Sequence, residues 1–168
     1  MHLETDRLVL RDLSPADAEL LAELDRDPDV MRYLAGATPS SDLPGREGYF
    51  AAVRKRDGEV LGWFEFRPLG GGAVELGYRL RRAHWGNGYA TEGARALIAK
   101  GFREQGVTRV VGYTMTVNAG SRRVMEKAGL AFVRTFFEEW PDPVPGAEHG
   151  DVEYALSKDD WNRQHGLP

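Results

Sequence analysis

The sequence predicts an α/β (α+β) fold, a mixed and mostly antiparallel sheet with helices on both faces. Three observations carry this. Residues 49–80 read as strands joined by tight turns at Asp57-Gly58 and Gly70-Gly71-Gly72. Residues 89–105 then change to a helical period, with Ala90, Ala94, Leu97, Ile98 and Phe102 on one side. From there strand and helix alternate, and a strand-helix-strand unit returns the chain parallel to its first strand.

Taken in order, Arg7-Leu8-Val9-Leu10-Arg11 alternates and forms the first strand. Ser14-Pro15 is an N-cap followed by proline at the first helical position, opening a helix with Leu20, Leu21 and Leu24 on one face. Asp27-Pro28 repeats that signal and predicts a second short helix, with Val30, Met31 and Leu34 as its apolar side. Residues 36–48 are rich in Gly, Pro, Ser and Asp, the composition of a flexible loop. Residues 49–55, 60–66 and 73–80 give the second, third and fourth strands. The long helix ends at Gly106, a good C-cap. Residues 109–115 form the fifth strand, 121–128 a helix ended by Gly129, and 131–137 another strand. A Pro- and Gly-rich loop over 140–150 leads to a final strand at 152–156, and Ser157 caps a short C-terminal helix.

The length of 168 residues suits a single domain over 1–168. With 42% hydrophobic and 29% charged residues, the chain is too apolar for disorder. No apolar run is long enough to cross a bilayer, and Met1-His2-Leu3-Glu4 does not begin a leader segment. The absence of cysteine excludes disulfides, thiolate metal sites and a cysteine nucleophile, and permits a cytoplasmic setting. A net charge of −4 argues against a sequence-independent nucleic-acid binder. His2, His84, His149 and His165 are too scattered to predict a metal site, so none is expected.

The most informative stretch is Trp85-Gly86-Asn87-Gly88-Tyr89-Ala90-Thr91, lying between the fourth strand and the long helix. Glycines let backbone N–H groups approach an anion, and a helix start adds unpaired N–H groups and a positive dipole end. Arg79, Arg81 and Arg82 stand just before the turn, either as partners of a polyanion or as a solvated strand edge. The turn is not a P-loop, because Gly88 is followed by Tyr89-Ala90 rather than Lys-Ser/Thr. It is not a dinucleotide fingerprint either, because the next strand ends Met115-Thr116-Val117-Asn118 without a carboxylate.

Four blocks together resemble the GNAT N-acetyltransferase superfamily, and within it the RimJ/RimL-like branch. They are Glu4-Thr5-Asp6-Arg7-Leu8-Val9-Leu10-Arg11, Glu75-Leu76-Gly77-Tyr78, His84-Trp85-Gly86-Asn87-Gly88-Tyr89-Ala90-Thr91-Glu92, and the run from Asn118-Ala119-Gly120-Ser121 to Ala128-Gly129-Leu130. Trp85 stands where the superfamily pattern has Gln or Arg, as it often does in this branch, and Leu130 stands where the branch commonly has Phe. The resemblance implies a sheet splayed between the fourth and fifth strands, with the pantetheine arm of acetyl-CoA in the cleft. Backbone atoms of Leu80 and its neighbours would pair with that arm, and Asn118 would reach it. Trp85, Gly86, Asn87, Gly88, Tyr89, Ala90 and Thr91 would form the pyrophosphate loop, with Arg123 near the nucleotide phosphates.

The implied reaction is direct attack of a primary amine on the thioester. Glu75, on the strand leading to the loop, is the candidate general base, or else a carboxylate paired with an arginine. Ser121 is the candidate group near the leaving thiolate, or else a helix-capping residue. Glu92 at the helix start suits electrostatic stabilisation of that terminus. An α-amine of pKa near 8 costs about 1–1.5 kcal/mol to deprotonate at pH 7, against about 4.6 for a lysine, which favours a protein N-terminus or a low-pKa small-molecule amine. Trp140 and the Pro-rich loop after it suit either a wall of the acceptor cleft or a homodimer contact. The competing reading is a catalytically silent acyl-CoA sensor; Glu75 and Ser121 favour the enzyme.

Overall fold

The computed structural model describes residues 2–34 and 36–168; Met1, part of the stretch read above for a leader, and Ala35 lie outside the described residues. Among the described residues the strands are β1 (His2–Glu4), β2 (Leu8–Asp12), β3 (Tyr49–Arg54), β4 (Val60–Gly70), β5 (Ala73–Leu80), β6 (Arg109–Met115), β7 (Ala131–Phe136) and β8 (Asp151–Ser157). They form one mixed sheet in the order β1-β2-β3-β4-β5-β6-β8-β7. The helices are α1 (Ala18–Arg26), α2 (Tyr89–Glu104), α3 (Ala119–Lys127) and α4 (Lys158–Gln164).

Every neighbouring pair is antiparallel except β5 and β6, where α2 makes the crossover that a parallel pair requires. That parallel pairing covers only Ala73–Glu75 against Arg109–Val111. Beyond it β5 stays with β4 as far as Leu80 opposite Gly62, and β6 stays with β8 as far as Met115 opposite Asp151. The sheet therefore opens into a V after Glu75, at the strand pair expected from the sequence.

Side-chain alternation divides the two faces. Leu61, Phe64 and Phe66 of β4 and Val74, Leu76 and Leu80 of β5 are buried with Ala94, Leu97, Ile98 and Phe102 of α2. Trp63 and Ala51 face the other way and are buried with Leu21 and Leu24 of α1 and Leu43. Gly93 brings α2 close to the sheet: a Cβ placed there would stand 2.3 Å from Cζ of the fully buried Phe64. Gly93→Ala is expected to overpack this contact and lower stability by about 1–3 kcal/mol, read as an earlier urea midpoint with an unchanged slope.

Several details differ from the sequence reading. A short strand, β1, precedes the first one expected and pairs with β2 through Leu3 opposite Leu10. Residues 28–34 form turns rather than a second helix. The Met31 N–H donates to the Asp27 carbonyl at 3.0 Å, a single helical turn that is not continued, and Val30 is still buried. Helix α3 starts at Ala119, before the expected Ser121, because the Asn118 side chain caps it by accepting from the Ser121 N–H at 3.2 Å.

The loop over 36–48 is anchored rather than free. Ser40 is fully buried; its Oγ accepts from the Trp63 indole at 3.0 Å and from Arg79 Nη1 at 2.9 Å. Asp25 on α1 accepts from the Ser40 N–H at 3.0 Å and from Arg79 at 3.1 Å. Arg79 thus ties α1 and this loop to the sheet, and Arg81 pairs with Glu59 and Glu23. Arg82 pairs with Asp29. The basic cluster before the glycine turn is paired with the chain's own carboxylates, Arg79 in the interior and Arg82 at the exposed surface, which weakens its reading as a polyanion site.

Candidate active site

A cleft of about 880 Å³ runs along the opening between β5 and β6. Its walls include every catalytic and cofactor-binding residue expected from the sequence except Asn87; Trp140, offered as a wall of the acceptor cleft, is not among them. The Asn87 side chain turns back instead, donating to the carbonyls of His84 and Trp85, both at 3.1 Å, and so closes the turn from within.

The turn follows a short 3₁₀ segment, Arg82–His84. Gly86 and Gly88 have φ of 76° and 80°, the left-handed region that glycine enters without penalty. Gly88 is the N-cap residue of α2 and offers no side chain to the helix N–H groups. The Trp85 N–H donates to the Arg82 carbonyl, and the next backbone N–H with a backbone acceptor is that of Glu92, which bonds to the Gly88 carbonyl. Among the described residues, the six N–H groups from Gly86 to Thr91 have no protein acceptor. Gly86, Asn87 and Gly88 are exposed, so the first three of these donors stand at the open mouth of the cleft, while Tyr89 is buried and Ala90 and Thr91 are half-buried.

Neighbouring side chains hold the row in place. The Trp85 indole donates to the Leu80 carbonyl at 2.9 Å, linking the end of β5 to the turn. Glu92 accepts from Thr5 Oγ1 at 2.5 Å, Arg7 Nε at 2.7 Å and the Arg7 N–H at 3.0 Å, and the Arg7 guanidinium lies 4.2 Å over the Tyr89 ring. Glu92 therefore fastens the start of α2 to the turn between β1 and β2, in addition to complementing the helix dipole. His84 is buried, with Nε2 3.1 Å from Glu59.

Across the opening, Asn118, Ser121 and Arg123 stand at the start of α3. Burial pushes the Tyr78 phenol up, and the nearby Ser121 side chain opposes that shift. Tyr78 was not singled out in the sequence. Its place in the alternation of β5, on the side of Leu76 and Leu80, is the signal that aims it at α2 and α3. Arg123 is exposed on the cleft wall, whereas Arg122 is drawn inward to the Thr116 carbonyl at 3.0 Å and the Tyr154 hydroxyl at 3.1 Å.

The opposite face of β5 carries Glu75, where the sheet begins to open. Burial, and then the charge of Glu65, push the Glu75 carboxyl above its ordinary value, while Arg67 opposes them. Glu75 Oε2 accepts from Arg67 Nη2 at 2.5 Å, and Arg67 Nε donates to Glu65 Oε1 at 2.9 Å. Glu65 is the neighbour that residue-by-residue reading missed. It was accessible from register, since the turn at Gly70-Gly71-Gly72 sets Arg67 opposite Glu75 and Glu65 opposite Gly77.

With the geometry in hand, comparison with known proteins gives a consistent answer. Residues 7–131 match the acetyltransferase (GNAT) domain family. FsC-acetyl coenzyme A-N(2)-transacetylase of Aspergillus fumigatus is 34% identical, over 96% of this chain and 78% of that protein. The acetyltransferase (GNAT family) from Bacillus anthracis superposes with a TM-score of 0.80 at 25% identity, covering 95% of this chain and 99% of that one. Spermidine N-acetyltransferase from Vibrio cholerae, solved with CoA and spermine, shares the fold with a TM-score of 0.78 at 14% identity, covering 94% of this chain and 99% of that one. An opened sheet with a row of free amides at its mouth is thus the frame of an acyl-group transferase. The chain belongs to the GNAT acetyltransferase family and is an acetyl-CoA N-acetyltransferase. No helix among the described residues is long and apolar enough to cross a membrane.

Proposed function

We propose that this chain, acting as one domain of the RimJ/RimL-like branch in the cytoplasm, transfers the acetyl group of acetyl-CoA to a primary amine of α-amine type by direct attack. The observation that carries the cofactor half of this reading is the row of six free N–H groups from Gly86 to Thr91. They fit a diphosphate: the donors are consecutive and stand at a helix N-terminus, the first three of them on exposed residues. Each bond to a charged oxygen contributes roughly 1.5–3 kcal/mol, so several hold the group without a lysine. The edge of β5 after Glu75 is left by β6 and would pair with the pantetheine amides, the Leu80 carbonyl sharing with the Trp85 indole, with Asn118 opposite and Arg123 near the nucleotide end.

The bound thioester supplies an electrophilic carbonyl and a thiolate leaving group. Glu75 takes the proton that the amine loses as the C–N bond forms, directly or through one water. Its raised proton affinity brings it closer to the working pH of a general base. Ser121, on the cleft wall, gives the proton that the departing sulfur takes as the C–S bond breaks, and regains one from solvent. The acceptor reading rests on the lower proton cost of an α-amine and on the relative named for transfer to an N(2) nitrogen.

The test follows free thiol released from acetyl-CoA against peptide N-termini, small α-amines, a polyamine and free lysine side chains. Release with the α-amines at the highest kcat/KM is the expected result. Release confined to the polyamine or to lysine side chains contradicts the acceptor assignment.

A further inference from the structure

Glu75 does not stand alone on the acceptor side of the sheet. Four side chains from three strands form a connected row: Tyr49 of β3, Glu65 and Arg67 of β4, and Glu75 of β5. Strand geometry builds it. Tyr49 is the register partner of Glu65, Glu65 and Arg67 are two residues apart on one face, and Arg67 is the register partner of Glu75. The Tyr49 hydroxyl donates to Glu65 Oε1 at 3.3 Å, Arg67 Nε donates to the same oxygen at 2.9 Å, and Arg67 Nη2 donates to Glu75 Oε2 at 2.5 Å. The cleft wall includes Glu65 and Glu75 but not Arg67, so the guanidinium supports them from outside the space where an acceptor sits.

We propose that Arg67 is the positioning residue for this transfer: its guanidinium forks between Glu65 and Glu75, fixes the Glu75 carboxylate toward the cleft and, with Glu65, sets the pH at which that carboxylate takes a proton. This rests on the reading of Glu75 as the general base. The fork explains how one site does both tasks. When Glu75 is neutralised by the proton it accepts, the Nε bond to Glu65 keeps Arg67 in place, so the carboxyl is held through the cycle. Glu65 and Arg67 act on Glu75 in opposite directions, Glu65 by like charge and Arg67 by attraction and hydrogen bonding.

Tyr113 of β6 faces Glu75 and Glu153, and Glu153 pairs with Arg134 of β7. Arg109 at the start of β6 also acts on Tyr113. Arg79, two residues beyond Gly77 on β5, is held by Asp25 and also feels Glu65. None of these bridges the two carboxylates as Arg67 does.

The experiment titrates the Glu75 side-chain carboxyl by carbon-13 NMR in the full chain, with its signal assigned by its loss in Glu75→Gln, and compares Arg67→Met, Arg67→Lys and Glu65→Gln. Arg67→Met is expected to move the Glu75 midpoint toward alkaline pH by about one pH unit or more, and Glu65→Gln to move it toward acid. Arg67→Lys should fall between wild type and Arg67→Met, because a lysine keeps the charge but loses the fork. The acid limb of kcat/KM should follow each midpoint. Midpoints that stay where they are in Arg67→Met and Glu65→Gln overturn the proposal while leaving Glu75 free to be the base. Midpoints that move without the kinetic limb following remove Glu75 from the proton transfer, and the proposal falls with that reading.

Discussion

Glu75→Gln is expected to lower kcat by about 10²-fold or more while leaving the KM for acetyl-CoA nearly unchanged. The glutamine keeps the size and shape of the carboxyl but cannot take a proton. Glu75 lies on the face of β5 opposite Leu76 and Leu80, while the free amides of the glycine turn stand beyond the far end of that strand, after Leu80. Loss of the base should therefore act on the chemical step and spare cofactor affinity. The pH profile makes the expectation sharper. A base works only when ionised, so wild-type kcat/KM should fall as the pH drops through the Glu75 titration, which burial and Glu65 place above an ordinary glutamate. That limb should vanish in the glutamine variant. A variant with wild-type turnover and an intact acid limb removes Glu75 from the reaction.

The second large effect is expected at the turn. Gly88→Val should weaken acetyl-CoA binding by about 10²-fold, which corresponds to about 2.7 kcal/mol. The cause differs from simple blockage within the protein. A Cβ on Gly88 meets only Arg7 Nη2, at an ordinary 3.5 Å, so space is available. What forbids valine is the backbone itself, since φ of 80° is a conformation that β-branched residues avoid. The chain relieves that strain by rotating the turn, and the N–H groups of Gly88 and its neighbours then no longer converge on one anion. Calorimetry should show the loss with acetyl-CoA and only a small change with pantetheine, which lacks the diphosphate. Equal losses for both ligands contradict this placement of the diphosphate.

The fold was legible where local pattern and tertiary role agree. Alternation over 49–80, the helical period after Tyr89 and the cap at Ser157 each specify one structure and receive it, whereas Ser14 heads a 3₁₀ turn over Pro15–Asp17 and α1 starts only at Ala18. The reading failed where a local signal lacked tertiary support, or where tertiary contacts lacked a local signal. Asp27-Pro28 can start a helix, but Val30 is buried from a turn and the segment goes no further. β1 is only three residues long, and its existence depends on β2 lying beside it.

For the site, the glycine turn was plain because its chemistry is written in consecutive residues. Glu65 and Arg67 were not, because their meaning comes from standing across a hairpin from Gly77 and Glu75. The arginines before the turn misled for the same reason. Their partners Asp25, Ser40, Glu59 and Asp29 are 22 to 54 residues distant, and only the packing of α1, its following loop and the β3–β4 hairpin brings them together.

The central claim is that backbone amides of the turn grasp the diphosphate, and amide NMR reads it directly. Nitrogen-15 spectra of the full chain should be recorded during titration with CoA and, separately, with pantetheine. The claim predicts large shifts of the Gly86, Asn87, Gly88, Tyr89 and Ala90 amides with CoA that pantetheine does not reproduce. Saturating CoA that shifts residues elsewhere in the cleft and leaves these five amides where they were would contradict it.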